Sequence, residues 1–463
     1  VITIIGAGLS GLTAGYVLAK ANQPCRIFER EPFIGGLART VAFRDYLFDL
    51  GGHRFYTKLP DVQEFVEELL GEDLIAVNRS SSIYLRGRLI AYPLRALNAM
   101  LSLGLVDSAH VGWDYLIEKL SQLGRELPPE RNFEEWAVRR FGRRLYEIYF
   151  KTYSEKVWGV PCPELSPDFA DQRIRGLSFS EAVKNALFRR KPKATTLIAR
   201  FFYPKRGFGM IPDALAARLP EGTVVTSSEV VKVSHSGDRI TSIDAATPEG
   251  IIGHKVTNLI SSIPLTTFVR LLEPPPPKEV MEAAAQLRYR DMVIVFLGIN
   301  KPQVSADHWR YFPSEDVPFA RFHEPKNWSA LMAPPERTSL VVEYFANRGD
   351  DCWNMADRVI VDLTVRHLER LGLMTAGELE SSLVLRLSHV YPLYTVGYRA
   401  HAERVLEYLG GFSNLQCIGR PARFLYTSSD HYILMGIKAA HNILGANHDL
   451  SSIGTEKKYA EEG

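Results

Sequence analysis

Gly6, Gly8 and Gly11 stand as GAGLSG directly after the apolar run Ile2–Ile5 and ahead of the helix-like stretch GLTAGYVLAKAN. A strand, three glycines at this spacing and a helix form a turn suited to a pyrophosphate. The first glycine makes the tight turn. The second lets the backbone approach the anion, and the third lets helix and strand pack closely. The helix N-terminus adds free amides and the positive end of its dipole, and Ser10 joins the candidate contacts from within the turn. Glu29 closes a second strand-like run, CRIFERE (25–31), roughly twenty residues on. A carboxylate there accepts from a ribose 2′-hydroxyl and repels a 2′-phosphate, so an adenosine of the FAD or NAD type is expected rather than NADP.

The next stretch of chain separates those two cofactors. In EREPFIGGLART (29–40), Gly35 and Gly36 form a second glycine pair, flanked by Arg30, Leu37 and Arg39. Such a pair lets the chain run close beside an extended, bulky ligand. A nicotinamide enzyme continues with the next strand–helix unit. Here come instead this loop, a further turn, DYLFDLGGHRFYTK (45–58), and a long insertion.

The elements that must position these groups fall into an interrupted order. After the first β-α-β unit, residues 60–215 read mostly as helices, among them DVQEFVEELLG and NFEEWAVRRFGRRLYEIYFKTY. The apolar stretch PLRALNAMLSLGLV (93–106) reads as a buried or cleft-lining helix. Strand patterns return at 223–263, in RDMVIVFLGIN (290–300) and in TSLVVEYFA (338–346), with EPPPPKEV (273–280) as a proline-rich connector and a helix at 355–371. The end is again strand, turn and helix, LQCIGRPARFLYTSSDHYILMGIKAAHNILG (415–445). The fold class read from this order is α/β. Its expected organisation is an interrupted Rossmann domain from 1–58, 205–265 and 410–450, a mostly helical insertion at 59–204, a mixed-sheet substrate domain at 266–409 and a flexible tail at 451–463.

Taken together, GAGLSGL, Glu29, GGLART, DLGGHRF, KTYSEKVWGVPCPELSP (151–167), YPKRGFGMIPDAL (204–215), VYPLYTVGY (390–398) and the terminal IGR…DHYILMGIKAA resemble the FAD proteins of the glutathione-reductase type. Within them they resemble amine oxidases, protoporphyrinogen oxidases and UDP-galactopyranose mutases. The resemblance implies FAD and places Gly51, Gly52 and His53 near the isoalloxazine ring. Glycines there let amides reach ring heteroatoms without a Cβ clash. With Arg54, those dipoles favour negative charge on a reduced ring. His53 is expected close to the ring, as a tuner, a proton shuttle or a structural histidine. By the same resemblance Val230 meets the adenine, and Arg420, Asp430, Ile433 and Met435 meet the flavin.

Two reaction classes share such a scaffold: hydride transfer from a carbon to the flavin, and non-redox rearrangement of a nucleotide sugar. Residues 45–167 are similar to the mutase in order and spacing. Trp158 matches an aromatic bordering its sugar-nucleotide site, Arg290 in LRYR matches a diphosphate arginine, and Tyr426 matches an active-site tyrosine. Against it, the terminal motif carries Leu425 and Ser428 where the mutase has Arg and Asp. Arg173 or Arg175, in DQRIRGLSFSEAV (171–183), is a candidate replacement for that arginine. The expectation is therefore an FAD-dependent oxidoreductase acting on a small molecule, with His53, Trp158, Arg290 and Tyr426 as candidate catalytic residues. The alternatives are a mutase acting on a sugar nucleotide, and a flavin-bearing binding protein.

Composition sets outer limits. The 463 residues are 46% hydrophobic and 23% charged with a net charge of +2, which argues against a nucleic-acid surface. The basic runs RRFGRR (139–144) and FRRKPK (188–193) read as solvated faces. Four scattered cysteines form no CxxC pair, and no HExxH or GxSxG motif is present, so metal and hydrolase chemistry have no carrier. No apolar run approaches the roughly 20 residues of a membrane span. A cytoplasmic protein is expected.

Overall fold

The computed structural model describes residues 1–92, 105–124, 126–173 and 200–454. The segments 93–104 and 188–193, Arg175 and the tail 455–463, each singled out in the sequence, lie outside the described residues.

The strand Ile2–Ile5 is buried along its whole length, as its run of β-branched residues dictates. It pairs in parallel with Cys25–Phe28 on one side and Asn258–Ser261 on the other. Leu415–Cys417 and Val224–Val225 extend the sheet to five strands, all parallel. Distant parts of the chain thus build one sheet, and the helices Leu9–Lys20 and Ser429–Ile443 pack together on it. Gly436 lets them approach: a Cβ there would stand 2.6 Å from the Ser10 carbonyl oxygen.

A second sheet has seven strands, in the order Leu379–Leu393, Arg288–Ile299, Thr338–Ala346, Arg321–His323, Trp309–Tyr311, Ser81–Leu85 and Arg88–Ala91. Its last two strands come from the interval that the sequence reads as mostly helical. They join because Ser81–Ile83 pair in parallel with Trp309–Tyr311. A four-stranded sheet carries Val230 on Glu229–Ser236. The helices Leu105–Gln122, Phe133–Phe141 and Thr152–Trp158 lie in the insertion. None of the described helices is long and apolar enough to cross a membrane.

Candidate functional site: one cleft from the glycine turn to an aromatic wall

A cleft of about 1350 Å³ runs from the first glycine turn to a group of aromatic rings between the two large sheets. At one end Gly6 adopts φ +97°. Gly11 is required by packing, since a Cβ there would stand 2.0 Å from the Gly6 carbonyl oxygen. Gly8 differs: its φ of −75° suits any residue, and a Cβ would meet nothing within 4 Å. Its open side is the cleft. The helix beginning at Leu9 has no side-chain cap and no acidic residue in its first turn, so its amides are available to an anion. Gly35 bridges to Gly8, and its amide donates to the Ala7 carbonyl at 2.8 Å. Gly36 and Leu37 then line the cleft, and so do Ser10, Arg30 and Val230.

Glu29 is buried at the edge of this end. Its carboxylate accepts from the Ala7 amide at 2.8 Å and the Glu31 amide at 3.1 Å, which fixes it against the glycine turn. Gly6, Gly8, Ser10 and Glu29 make a cradle of the size and polarity of an adenosine diphosphate, and nothing in it conflicts with one.

Further along, Gly51 and Gly52 form the opposite wall, Gly51 at φ +129°. A carboxylate anchors this turn from behind. Asp49 accepts from the Tyr203 hydroxyl and the Thr40 hydroxyl, each at 2.6 Å, and from the Phe208 amide at 3.0 Å. Burial pushes its carboxyl up to about 6 against those three donors. The unfolded chain loses this proton near pH 4 and the folded chain near pH 6, so the residue's contribution falls as pH rises through that window. The effect is about 3 kcal/mol at most. Asp49→Asn is expected to flatten that part of the stability profile, measured by urea unfolding at pH 4.5 and 7.

The His53 ring stacks on Phe208, with centroids 5.3 Å apart. Its Nδ1 is buried without a partner. Burial, reinforced by the charge of Arg420, pushes the imidazole down to about 3. These surroundings favour the neutral imidazole over the imidazolium.

Arg420 supplies the fixed charge at this end. It donates to the Tyr432 hydroxyl, to the Val390 carbonyl at 3.1 Å and to the Thr427 carbonyl at 2.9 Å. Its guanidinium carbon lies 4.8 Å from the Tyr391 ring centre and 5.3 Å from that of Tyr426. None of these partners is anionic, so its positive charge is uncompensated by any carboxylate contact among the described residues. Arg321, by contrast, is paired at 2.6 Å with Glu343, its register partner on the neighbouring strand. Burial alone would raise Glu343, but Arg321 and His323 outweigh it and hold the carboxyl below its ordinary range.

The far end is a wall of rings. Trp158 contacts Phe169, Tyr391 and Tyr426 edge-on, at centroid separations of 4.7, 6.2 and 5.9 Å. Tyr391 and Tyr426 stack at 5.2 Å. Trp158 and Tyr426 line the cleft; Arg290 does not. Its guanidinium donates to the carbonyls of Val157 and Phe345, both at 2.8 Å, and pairs with Asp350 at 3.6 Å. It lies directly behind Gly159, where a Cβ would touch it at 2.5 Å. Arg290 thus supports the Trp158 turn from outside the cleft lining. Arg173 is described only as a helix residue, with its side chain outside the description.

The remaining positions do not line the cleft. Arg39 lies over the Phe33 ring at 3.5 Å. Asp430 is buried, accepting from the Ser428 hydroxyl at 2.7 Å. Ile433 and Met435 pack in the core, and the Met435 sulfur accepts from the Gly419 amide. The C-terminal helix shows the cleft Ser428, Ser429, His431 and Tyr432 instead. Ser429, His431 and Tyr432, with Phe208, Arg321 and Glu343, are among the cleft positions that the sequence reading missed.

The family described as flavin containing amine oxidoreductase matches residues 9–398. A probable UDP-galactopyranose mutase of Klebsiella pneumoniae is 27% identical over 197 residues, 42% of this chain and 50% of that protein. The match thus spans half the length of that relative. Among solved structures, a reduced UDP-galactopyranose mutase has a TM-score of 0.84 at 21% identity, covering 99% of this chain and 98% of that one. A protein provisionally described as a protoporphyrinogen oxidase, from Exiguobacterium sp. 255-15, has a TM-score of 0.72 at 17% identity, covering 96% and 98%. At such identities these two likenesses speak of fold. The family match extends over most of the chain and enters the cleft from both its nucleotide and its aromatic ends: the chain belongs to the flavin containing amine oxidoreductase family, with FAD as its cofactor.

Proposed function

We propose that the protein is an FAD-dependent oxidoreductase that takes hydride from a carbon of a small molecule. When bound, the flavin supplies the two-electron acceptor. Gly6, Gly8, Ser10 and Glu29 would hold the nucleotide half, and Gly51, Gly52 and Arg420 the ring half. Trp158, Tyr391 and Tyr426 present a largely apolar wall that positions a carbon donor and excludes water. His53, stacked on Phe208, packs against the Gly51–Gly52 turn.

The observation that carries this reading is the placement of Arg290. Two of its guanidinium nitrogens donate to the carbonyls of Val157, Lys156 and Phe345, the third stands 3.6 Å from Asp350, and the side chain does not line the cleft, so it offers no fork to a diphosphate there. Leu425 and Ser428 stand where a mutase would add further polar contacts. Losing a bidentate arginine weakens diphosphate recognition severely. One observation favours the second reading, a sugar-nucleotide mutase. The uncompensated charge of Arg420 suits an electron-rich reduced ring, which such a reaction needs.

The experiment that separates them incubates the dithionite-reduced, FAD-loaded protein with UDP-galactofuranose. No pyranose is expected. In the companion arm, anaerobic oxidised protein is mixed with primary amines and with protoporphyrinogen, and a carbon donor of one of these classes is expected to bleach the visible flavin band. Pyranose formed without net electron consumption overturns the proposal in favour of the mutase.

A further inference from the structure

Behind the Gly51–Gly52 turn, the second sheet carries a group of titratable side chains to which the proposed reaction assigns no part. Arg321 and His323 stand two residues apart on one strand, and Glu343 is the register partner of Arg321 on the next. Glu343 Oε2 accepts from Arg321 at 2.6 Å, and its Oε1 lies 3.5 Å from His323 Nδ1. A Cβ on Gly51 would stand 3.9 Å from Glu343 Oε1 and 3.9 Å from His53 Cε1. A Cβ on Gly52 would stand 3.6 Å from the Trp328 ring, and the His323 ring lies beside that indole, with centroids 5.5 Å apart. His323 and Glu343 are buried. Yet both ring nitrogens of His323, and Glu343 Oε1, have no hydrogen-bond partner among the described residues. Buried polar atoms without partners cost stability, and three in one place call for a use.

We propose that His323, backed by Glu343, stores the proton that the donor gives up as its hydride leaves. This rests on the reading that the flavin ring lies along the Gly51–His53 turn. In a donor H–C–X–H, the hydride carries both electrons of the C–H bond to the ring. A C=X bond forms, and the X–H bond gives up its proton to the free nitrogen of a neutral His323 imidazole. Glu343 lines the cleft and faces His323, so it stands on the proton's way in.

Charge balance favours His323 over its neighbours. With His323 neutral, Arg321 balances Glu343. Hydride on the ring adds one negative charge across the turn, and a proton on His323 offsets it. His53 is worse placed, since burial, reinforced by the charge of Arg420, holds it down to about 3. The other titratable groups around the pair are Asp49, bonded to Tyr203, Thr40 and Phe208, and Tyr153, beside Arg321 and Glu343.

The midpoint potential of the FAD-loaded protein, followed against pH, tests this with no substrate present. A unit negative charge about 8 Å away at an effective dielectric of about 20 favours a proton on His323 about thirtyfold. For two electrons that factor converts to about 45 mV. One proton per two electrons gives a fall of about 30 mV per pH unit. The wild type is expected to fall by about 45 mV more than this in total between about pH 5 and 9, the range in which histidine titrates. His323→Gln is expected to lose the extra fall and keep the basic slope. Glu343→Gln, which leaves Arg321 an acceptor, is expected to lose most of it, and Asp49→Asn to keep it. The absorbance of the reduced flavin is expected to stay that of the anionic ring. No extra fall in the wild type overturns the proposal. So does an extra fall kept in His323→Gln, or one lost in Asp49→Asn alone. A reduced ring that turns neutral over the same range puts the proton on the ring and also overturns it. Failure of the hydride reading shows elsewhere, as pyranose formed from UDP-galactofuranose with these potentials unaltered.

Discussion

Gly8→Val leaves the fold in place and removes the cofactor. The backbone at Gly8 is extended, and the new side chain meets no protein atom near its Cβ. It points instead into the cleft beside the uncapped start of the helix Leu9–Lys20, the proposed pyrophosphate site. Filling that space is expected to weaken FAD by about a thousandfold or more, roughly 4 kcal/mol. The purified variant should be colourless. A bound cofactor stabilises only the folded state, so the variant should melt with the deflavinated wild type, below the loaded protein. Gly11→Ala provides the contrast. Its Cβ would press on the Gly6 carbonyl at 2.0 Å, so there the apoprotein itself should lose stability. Absorbance ratio and thermal melting of both variants, with and without added FAD, check the pair. Stoichiometric flavin in Gly8→Val would remove the pyrophosphate from this turn.

Arg420→Gln is expected to make the bound flavin harder to reduce. Arg420 is pinned by one hydroxyl and two carbonyls, with no carboxylate contact to cancel it, so its charge is felt by whatever lies against the Gly51–His53 turn. A unit charge acting over roughly 6–8 Å at an effective dielectric of about 20 contributes about 2–3 kcal/mol. For a two-electron couple this is roughly 40–60 mV. Removing it disfavours the anionic reduced ring, so the midpoint potential should fall by about that amount. Arg420→Lys keeps the charge and loses the planar fork. It should hold the potential close to wild type while binding FAD less tightly. Equilibrium titration against reference dyes reads both. An unchanged potential in the glutamine variant would mean that the charge is screened from the ring.

Much of this site was legible in the sequence because glycine leaves little choice. A glycine triplet between a buried strand and a helix suits the close approach of an anion, and Gly6, Gly8 and Glu29 line the cleft. The C-terminal helix was legible as an element but not in its phase. The motif resemblance marks Asp430, Ile433 and Met435, yet the face turned to the cleft carries His431 and Tyr432. One residue moves a side chain about 100° around a helix, and both faces at this helix start mix polar and apolar residues. Arg290, which does not line the cleft, was hard to place for a related reason. The strand Arg288–Ile299 is buried on both faces from Arg290 onward, so alternation does not say which side holds the ligand. Arg321 and Glu343 were invisible because their pairing is a register between separate strands. Neither residue carries a local signal.

The central claim is that the N-terminal glycine turn, the Gly51–His53 turn and the start of the C-terminal helix clasp one extended cofactor between them. A crystal structure of the FAD-loaded protein tests it most directly. The account predicts the pyrophosphate beside Gly8, the ribose on Glu29, and the ring lying along Gly51 and Gly52 with Arg420 at its edge and Trp158 across the open face. A ring seated away from the Gly51–His53 turn, or a nucleotide bound with the aromatic end closed by its own side chains, would contradict it.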